Sequence, residues 1–266
     1  MYTDDLKLFP SWVPRWDCGV GRLLGRPDSV SIYRATADLR PHIVFDPSYR
    51  ILKLEGVSVD TVRFYSEVLR KNSLYFRPSK HQRTDPIILL WSDICGYADF
   101  TLDYEYINGD SAVLAYSETL TAGALLSSQA QVLSNEDRLA ASQKVLLAQG
   151  AAYITRAAGD SIHVSDALQE LGRNGDGIGW IGVVSSMCGM RRFFRTAGGY
   201  YGLGPPEMQE GDIVCVLFGG STPYLLRPEG DHYLFIGECY VYGLMNLEAI
   251  KMMEEGKLKR TTFVIH

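Results

Sequence analysis

The pattern of apolar and polar positions divides the chain into two strand-forming ends and a helix-forming middle. Residues 51–59 alternate apolar and polar side chains, which is typical of a half-buried strand. From Arg191 onward, short apolar runs are separated by glycine and proline turns, a pattern that predicts a compact antiparallel sheet or small barrel. The predicted strands are 31–35, 51–59, 191–196, 213–218, 223–227, 232–243 and 260–265.

The middle of the chain, roughly residues 87–190, has helical spacing of its apolar side chains. Ser134 opens a capping-box-like sequence with a carboxylate three residues on, which indicates a helix start. Further helices are predicted to begin after Asp60, at Asp160 or Ser161, and at Leu247. The segment 173–179, rich in glycine, is predicted to be a flexible turn.

These elements predict an α+β fold, in which an antiparallel β-barrel-like sheet from the N- and C-terminal strands carries a mainly helical middle insertion. We predict a single domain over 1–266. Its parts are an extended arm (1–30), strands and a helix (31–75), a helical insertion (87–190) and C-terminal barrel strands (191–266). The arm holds Trp12 and Trp16 between prolines that exclude a regular helix, and we expect both rings to pack into the main body.

Composition excludes several classes of function. Hydrophobic residues make up 46% and charged residues 21%, as in an ordinary globular protein, and the net charge of -5 argues against a nucleic-acid partner. No apolar run approaches the length of a membrane span, and no signal peptide is visible. The five cysteines form no CxxC pair, which predicts five free thiols in a cytoplasmic protein.

The common cofactor and metal motifs are missing from the sequence. It contains no P-loop, no HExxH, no GxSxG and no GxGxxG after a strand. The five histidines are isolated from one another, so the sequence predicts neither a metal site nor a cofactor.

Glu238 is the principal candidate for acid–base chemistry, because its neighbours along the chain are apolar or aromatic and such a setting pairs a carboxylate or raises its pKa. Tyr240 and Tyr242 lie two and four residues on, so a continuous strand would place all three on one face. In an enzyme, Glu238 would move a proton, Tyr240 would stabilise an oxyanion and Arg195 would bind an anionic group. The competing interpretation is a structural ion pair of Glu238 with Arg195 or Arg227.

Aromatic side chains and one histidine are candidates for contacts with a ligand. The glycine-rich segment 198–206 carries two adjacent tyrosines that could line a pocket mouth, although a purely structural turn is the preferred explanation of the segment. The histidine lies on the same predicted ribbon as Glu238 and is otherwise a surface-turn residue. The predicted ligand-binding residues are Tyr242, Tyr200, Tyr201, His232 and Trp91.

Three phrases of the sequence resemble the region that follows the effector domain in fungal heterokaryon-incompatibility (HET) proteins. They are Ser11–Trp16, Leu52–Val62 and Phe193–Met245. The resemblance implies a fungal, intracellular protein with a β-barrel-like C-terminal module and no effector domain, the chain starting where that domain would have ended. One departure is Leu247, where the family commonly has glycine. The resemblance supplies no catalytic residue.

Two functions stay open at this point. Our principal prediction is a barrel that binds a small apolar metabolite and acts as a cofactor-independent cyclase, isomerase or lyase in fungal secondary metabolism, because the barrel is rich in aromatic residues with a few polar groups. The alternative is a non-enzymatic recognition or regulatory module of a heterokaryon-incompatibility system with a protein partner. Its sixteen tyrosines would suit a protein interface.

Overall fold

The computed structural model describes residues 10–13, 24, 33–36, 39–45, 50–74, 84–124 and 136–266. These residues form two compact units. The barrel unit comprises the described residues up to Arg63, with Thr196–Gly198 and Gly204–His266. The helical unit comprises those of Phe64–Arg195 and Gly199–Leu203. A single domain over the whole chain stays a prediction.

The described residues contain both strands and helices, and the predicted α+β class is confirmed. The strands are β1 Ile43–Phe45, β2 Leu52–Tyr65, β3 Arg192–Thr196, β4 Tyr201–Gly204, β5 Ile213–Leu217, β6 Tyr224–Glu229, β7 His232–Glu238, β8 Tyr240–Val241 and β9 Arg260–Ile265. The helices are α1 Lys71–Leu74, α2 Pro86–Leu90, a π-helix Trp91–Cys95, α3 Ala112–Thr121, α4 Glu136–Ala158, α5 Asp166–Gly172, α6 Gly177–Met187 and α7 Glu248–Glu254. The middle of the chain is helical, as predicted.

Five strands of the barrel unit close into a ring, in the order β2, β5, β6, β7, β9 and back to β2. All pairs are antiparallel except β7 with β9, which meet in parallel at Tyr233 and Ile265. Closure gives each of these strands two hydrogen-bonded neighbours, which protects them from pairing with other chains. The predicted barrel-like sheet is therefore confirmed.

Gly56 allows β2 and β5 to approach closely in this ring. A Cβ atom at this position would lie 2.3 Å from the carbonyl oxygen of Val216. Since real Cβ atoms do not approach an oxygen so closely, any larger residue at this position would force the two strands apart.

The interior of the ring is filled by two side chains from each of its five strands, which form one apolar cluster. The contributing residues are Leu52, Leu54, Cys215, Leu217, Tyr224, Leu226, Tyr233, Phe235, Phe263 and Ile265. Their spacing of two along each strand is the alternation that a pleated strand imposes. Trp12 also packs against the cluster, as predicted, whereas Trp16 lies outside the described residues.

The helical unit is organised around α4, which packs against α3, α5 and α6. Ser165 begins α5 and accepts a hydrogen bond from the Leu168 amide, 3.4 Å from its Oγ. Asp176 begins α6, and its carboxylate accepts from the Gly179 amide at 2.8 Å. Both are side-chain caps of the kind that satisfies the first amides of a helix. They fix the residues at which α5 and α6 begin.

Two helix predictions were wrong, and one turn prediction holds only for the first part of its segment. The segment after Asp60 is not a helix, because β2 continues to Tyr65 and pairs Thr61 with Ile213. The helix expected at Asp160 or Ser161 begins instead at Asp166. The turn predicted over 173–179 contains the start of α6, since the Asp176 cap outweighs the glycines that follow it. The predicted cap at Ser134 lies outside the described residues.

Other predicted boundaries also changed. The strand expected at 31–35 is reduced, among the described residues, to a bridge between Arg34 and Asn246. The helix predicted at Leu247 is confirmed as α7, and Leu247 itself has φ +69°, the left-handed region that favours glycine. A glycine, which the resemblance implied at this position, would adopt this backbone without strain.

The prediction of free thiols is confirmed for Cys95, Cys188 and Cys215, which are buried, and Cys239 is buried too. Cys18 lies outside the described residues. Among the described helices, none has the length and apolar character needed to cross a bilayer.

Candidate functional site

Glu238 is the last residue of β7, and its carboxylate is hydrogen-bonded to a backbone amide. Its Oε1 accepts a hydrogen bond from the amide of Leu24. This contact fulfils the expectation that a half-buried carboxylate must have a donor. Arg227, one of the two arginines considered as an ion-pair partner of Glu238, binds Asp212 instead. The distance from Nε of Arg227 to Oδ1 of Asp212 is 2.8 Å.

A β-bulge brings Glu238 to the interior side of the barrel. The register of β6 with β7 shifts between Leu225 and Leu226, and Gly237 in the bulged strand has φ +144°. After the shift, Glu238 lies directly opposite Tyr224, and directly opposed residues point to the same side of a sheet. Burial raises the pKa of Tyr224, and the nearby Glu238 charge raises it further.

The predicted ribbon from Glu238 to Tyr242 is interrupted. β7 ends at Glu238, Cys239 belongs to no strand, and β8 is only Tyr240–Val241. The strand predicted over 232–243 was therefore wrong as a continuous element, and the period-two reason for a shared face no longer applies. Tyr240 and Tyr242 are both buried, and the Tyr240 ring lies 6.1 Å from that of Tyr33.

His232 lies at the opposite end of β7 from Glu238. The six residue steps from His232 to Glu238 span about 20 Å at the rise of a strand. Its ring centroid is 4.8 Å from that of His266, and its Nδ1 is 3.1 Å from Oδ1 of Asp231. The structure thus separates His232 from the Glu238 position, although the sequence assigned both to one site.

Three other predicted residues converge around the π-helix of the helical unit. Arg195 donates from Nη1 to the carbonyl oxygen of Cys95 at 3.0 Å. Burial and the neighbouring Cys95 and Tyr97 groups raise the pKa of Tyr201, and the Tyr201 amide donates a hydrogen bond to the Tyr106 hydroxyl at 2.9 Å. Trp91 opens the π-helix and is fully buried. Because π-helices are rare and frequent at functional sites, this convergence is the best-defined cluster of predicted residues.

Stacked rings fill the space around the π-helix. Trp91 lies 4.6 Å from Phe100 and 4.7 Å from Tyr97 between ring centroids. Tyr97 in turn stacks on Tyr104 at 4.2 Å with an interplanar angle of 15°. Burial raises the pKa of both Cys95 and Tyr201, so these groups stay protonated at neutral pH. The cluster therefore has the packing of a structural core and does not supply a thiolate nucleophile.

Arg195 also forms part of the protein surface. Its Cζ lies 4.6 Å from the centroid of the Phe64 ring, and Phe64 is 42% exposed. Tyr200, the remaining candidate, is half-buried in the same unit. Sequence reasoning missed Phe64 and Tyr224. The alternation of Tyr224 and Leu226 within a strand was the available signal for Tyr224, whereas Phe64 was assigned to a helix.

Two adjoining surface grooves lie along α4 and α5, with volumes of about 340 and 410 Å³. They share Thr155 and Gln169, and their other lining residues are mostly polar. No residue that the sequence assigned to a site lines either groove. An aromatic pocket around Glu238 stays a prediction.

Comparison with known proteins bears on the C-terminal part of the chain. Residues 167–260 match the Het-6 beta-barrel domain. The heterokaryon incompatibility protein 6, OR allele, of Neurospora crassa is 44% identical over 62 residues. That stretch covers 22% of this chain and only 9% of the Neurospora protein. No solved structure matches the chain. The resemblance to the C-terminal region of HET proteins, predicted from the sequence, is confirmed.

Proposed function

We propose that this chain is a non-enzymatic recognition or regulatory module of a heterokaryon-incompatibility system, and that its partner is a protein. The observation that carries the proposal is the match of residues 167–260 to the Het-6 beta-barrel domain. The similar Neurospora protein is named for heterokaryon incompatibility. Both findings favour the alternative function over the metabolite enzyme.

The packing of the barrel supports binding through an outer surface. Ten side chains from five strands form the interior cluster, together with Trp12. Side chains already fill barrels of about eight strands, and a five-stranded ring is narrower still. A metabolite would have to displace this core, whereas a protein partner needs only the outside of the molecule.

The distribution of the predicted catalytic residues also supports a binding role. Glu238 and Tyr240 belong to the barrel unit and Arg195 to the helical unit. Glu238 accepts from the Leu24 amide, and Arg195 donates to the Cys95 carbonyl. Each of these two side chains therefore has a structural partner within its own unit.

The proposal can be tested by expressing the whole chain in Neurospora crassa. Two matched strains would be used, one with the OR allele of heterokaryon incompatibility protein 6 and one lacking that protein. We expect the chain to change hyphal growth or cell death after fusion only in the first strain. Phe263→Asp, which places a charge in the barrel core, is the inactive control.

Two results would contradict the proposed function. Identical growth of both strains with folded, expressed chain would overturn a role in this system. Turnover of a compound in fungal metabolite extract by the purified chain would restore the enzyme hypothesis.

A further inference from the structure

The Phe64–Arg195 stack leaves most of a guanidinium available at the protein surface. Arg195 makes one hydrogen bond within the described part of the chain, from Nη1 to the Cys95 carbonyl. A guanidinium carries five N–H donors in a planar fork, so the Nε and Nη2 side of the fork has no acceptor among the described residues. Stacking on Phe64 fixes the plane of this fork.

The backbone beside the stack keeps the arginine uncovered. Gly96 is exposed and has φ +83°, and a Cβ atom there would lie 3.8 Å from Nη1 of Arg195. Tyr97 follows Gly96 and is half-buried. We call the surface formed by Phe64, Gly96, Tyr97 and Arg195 the Arg195 surface. It combines an anion-binding fork with exposed aromatic area.

The strands around this surface are basic, although the whole chain has a net charge of -5. Residues 64–71 and 190–195 are joined by the Ser66 amide on the Phe193 carbonyl and by the Leu69 amide on the Arg191 carbonyl. This pair of segments has one acidic residue, Glu67. Its basic residues are Arg70, Lys71, Arg195, the buried Arg191, and Arg192, which points to the opposite face of its strand. The local excess of positive charge attracts acidic groups.

Among the described residues, Asp93 of the π-helix and Asp99 of the loop after it form no ion pair with Arg195. Asp93 accepts a hydrogen bond from Ser92, and Asp99 accepts one from the Tyr104 hydroxyl. An incoming carboxylate is therefore the group that the Arg195 fork matches, through two parallel hydrogen bonds.

We propose that the Arg195 surface docks an acidic segment of a partner protein, in which a Glu or Asp carboxylate binds Arg195 and a neighbouring apolar side chain packs on Phe64. This inference rests on the proposed recognition function. Arginine and aromatic residues dominate the binding energy of protein interfaces. One exposed fork beside one exposed ring suits a single carboxylate, whereas RNA binding neutralises a run of phosphates with several cations, so RNA is the competing occupant in the test.

The test uses the whole chain and a fluorescein-labelled synthetic peptide of glutamate, leucine and phenylalanine, followed by fluorescence anisotropy. A peptide with glutamine in place of glutamate is the neutral probe. We expect Arg195→Gln to weaken binding of the acidic peptide by roughly tenfold or more, the loss of a charge-assisted bidentate contact. Arg195→Lys should lose most of the affinity too, because lysine lacks the fork.

Arg192→Gln is the matched control. Arg192 lies on the same strand and stacks on Tyr65, with 5.2 Å from Cζ to the ring centroid. It is three residues from Arg195 and so points to the opposite face of the strand. Its replacement removes the same charge, and we expect less than a twofold change in affinity. Equal losses in the two variants would indicate unspecific attraction and overturn the proposal.

Three further results would also overturn it: no binding of the acidic peptide by the folded wild type, equal binding of the neutral peptide, and stronger binding of inorganic phosphate or RNA than of the acidic peptide. Circular dichroism checks folding of each variant. Should Arg195→Gln fail to fold, Phe64→Ala at an exposed position provides the second variant, with a severalfold loss expected.

The Neurospora experiment separates this inference from the proposed function. If the wild-type chain alters growth only beside the OR allele and Arg195→Gln does so equally, the docking surface is wrong and the recognition function stands. If the wild type has no effect in either strain, the recognition function itself fails.

Discussion

Glu238 and Tyr224 lie directly opposite each other across β6 and β7, at a bulge that turns the carboxylate toward the barrel interior. The Glu238 charge contributes to the raised pKa of the Tyr224 phenol. The chemistry of Glu238 is limited by the Leu24 amide, which already donates to the carboxylate.

Replacing Glu238 with Gln distinguishes a structural from a catalytic role. The glutamine oxygen can still accept from Leu24, so we expect the free energy of unfolding to change by no more than about 1 kcal/mol. The lost charge should lower the pKa of Tyr224, because Glu238 contributes to its elevation after burial. Ultraviolet titration of the tyrosines, with Tyr224→Phe to assign the change, measures this shift. A loss of turnover by two orders of magnitude on any substrate would instead identify Glu238 as an acid–base catalyst.

Arg227 holds a fully buried carboxylate in the barrel unit. Asp212 accepts from Nε and Nη2 of Arg227 at 2.8 and 3.0 Å and from the Gln209 amide at 2.8 Å. Removing one partner of a buried pair costs about 3–5 kcal/mol, and we expect Arg227→Gln to lower the free energy of unfolding toward that range. Urea denaturation measures it.

The exposed pair of Arg63 with Glu210 is the control for this prediction, since both side chains are more than half exposed. Arg63→Gln should cost no more than about 1 kcal/mol. Similar losses in both variants would contradict the assignment of a special role to the buried pair.

Glu118 should make the stability of the helical unit depend on pH. Burial, with a smaller contribution from Asp110, raises the pKa of this carboxyl to about 8, and its Oε2 has no hydrogen-bond partner among the described residues. The folded state therefore keeps a proton that the unfolded chain releases near pH 4.5. Its contribution to stability is full below pH 4.5 and falls as the pH rises, until about pH 8.

The matching experiment compares Glu118→Gln with the wild type by urea unfolding across this range. The variant cannot ionise, so its stability relative to the wild type should increase from pH 5 to pH 8. Glu105→Gln, at an exposed position, is the control and should show no such trend. A constant difference between Glu118→Gln and the wild type would show that Glu118 is ionised in the folded protein.

Leu247 provides a test of backbone strain. A left-handed conformation costs a non-glycine residue about 1–2 kcal/mol, and Leu247 adopts it at φ +69°. We expect Leu247→Gly to raise the free energy of unfolding by up to about 1 kcal/mol, after the greater chain entropy of glycine and the loss of a half-buried side chain are subtracted. Leu247→Ala keeps the strain and loses the side chain, so it should be less stable than the wild type.

The sequence predicted the strands whose apolar side chains recur every second residue. β5 fills the barrel through Cys215 and Leu217, β6 through Leu226 and β9 through Phe263. The alternation of apolar residues along these strands is visible in the sequence itself. The continuation of β2 past Asp60 was not predictable, because it depends on pairing with β5, more than a hundred residues away. Asp60 indicated a helix start at this point, whereas pairing with β5 makes the segment a strand.

The site was less predictable than the fold. Glu238 was recognised as a partly buried carboxylate, but its partners Leu24 and Tyr224 come from distant parts of the chain. Arg195 was recognised as a possible anion fork, yet its stack on Phe64 required knowing that residue 64 lies in a strand. Residue type indicated the chemistry, and only the three-dimensional structure supplied the neighbours.

The ring also determines when the protein can fold. Leu52 of β2 pairs with Ile265 of β9. The first strand of the ring in chain order therefore cannot complete its pairing until the last strand has been synthesised. Contacts between such distant positions slow folding and leave strand edges exposed in the meantime. The stretch 167–260 that matches the Het-6 beta-barrel domain contains neither β2 nor most of β9. On a ribosome, this ring therefore stays open until β9 has been synthesised.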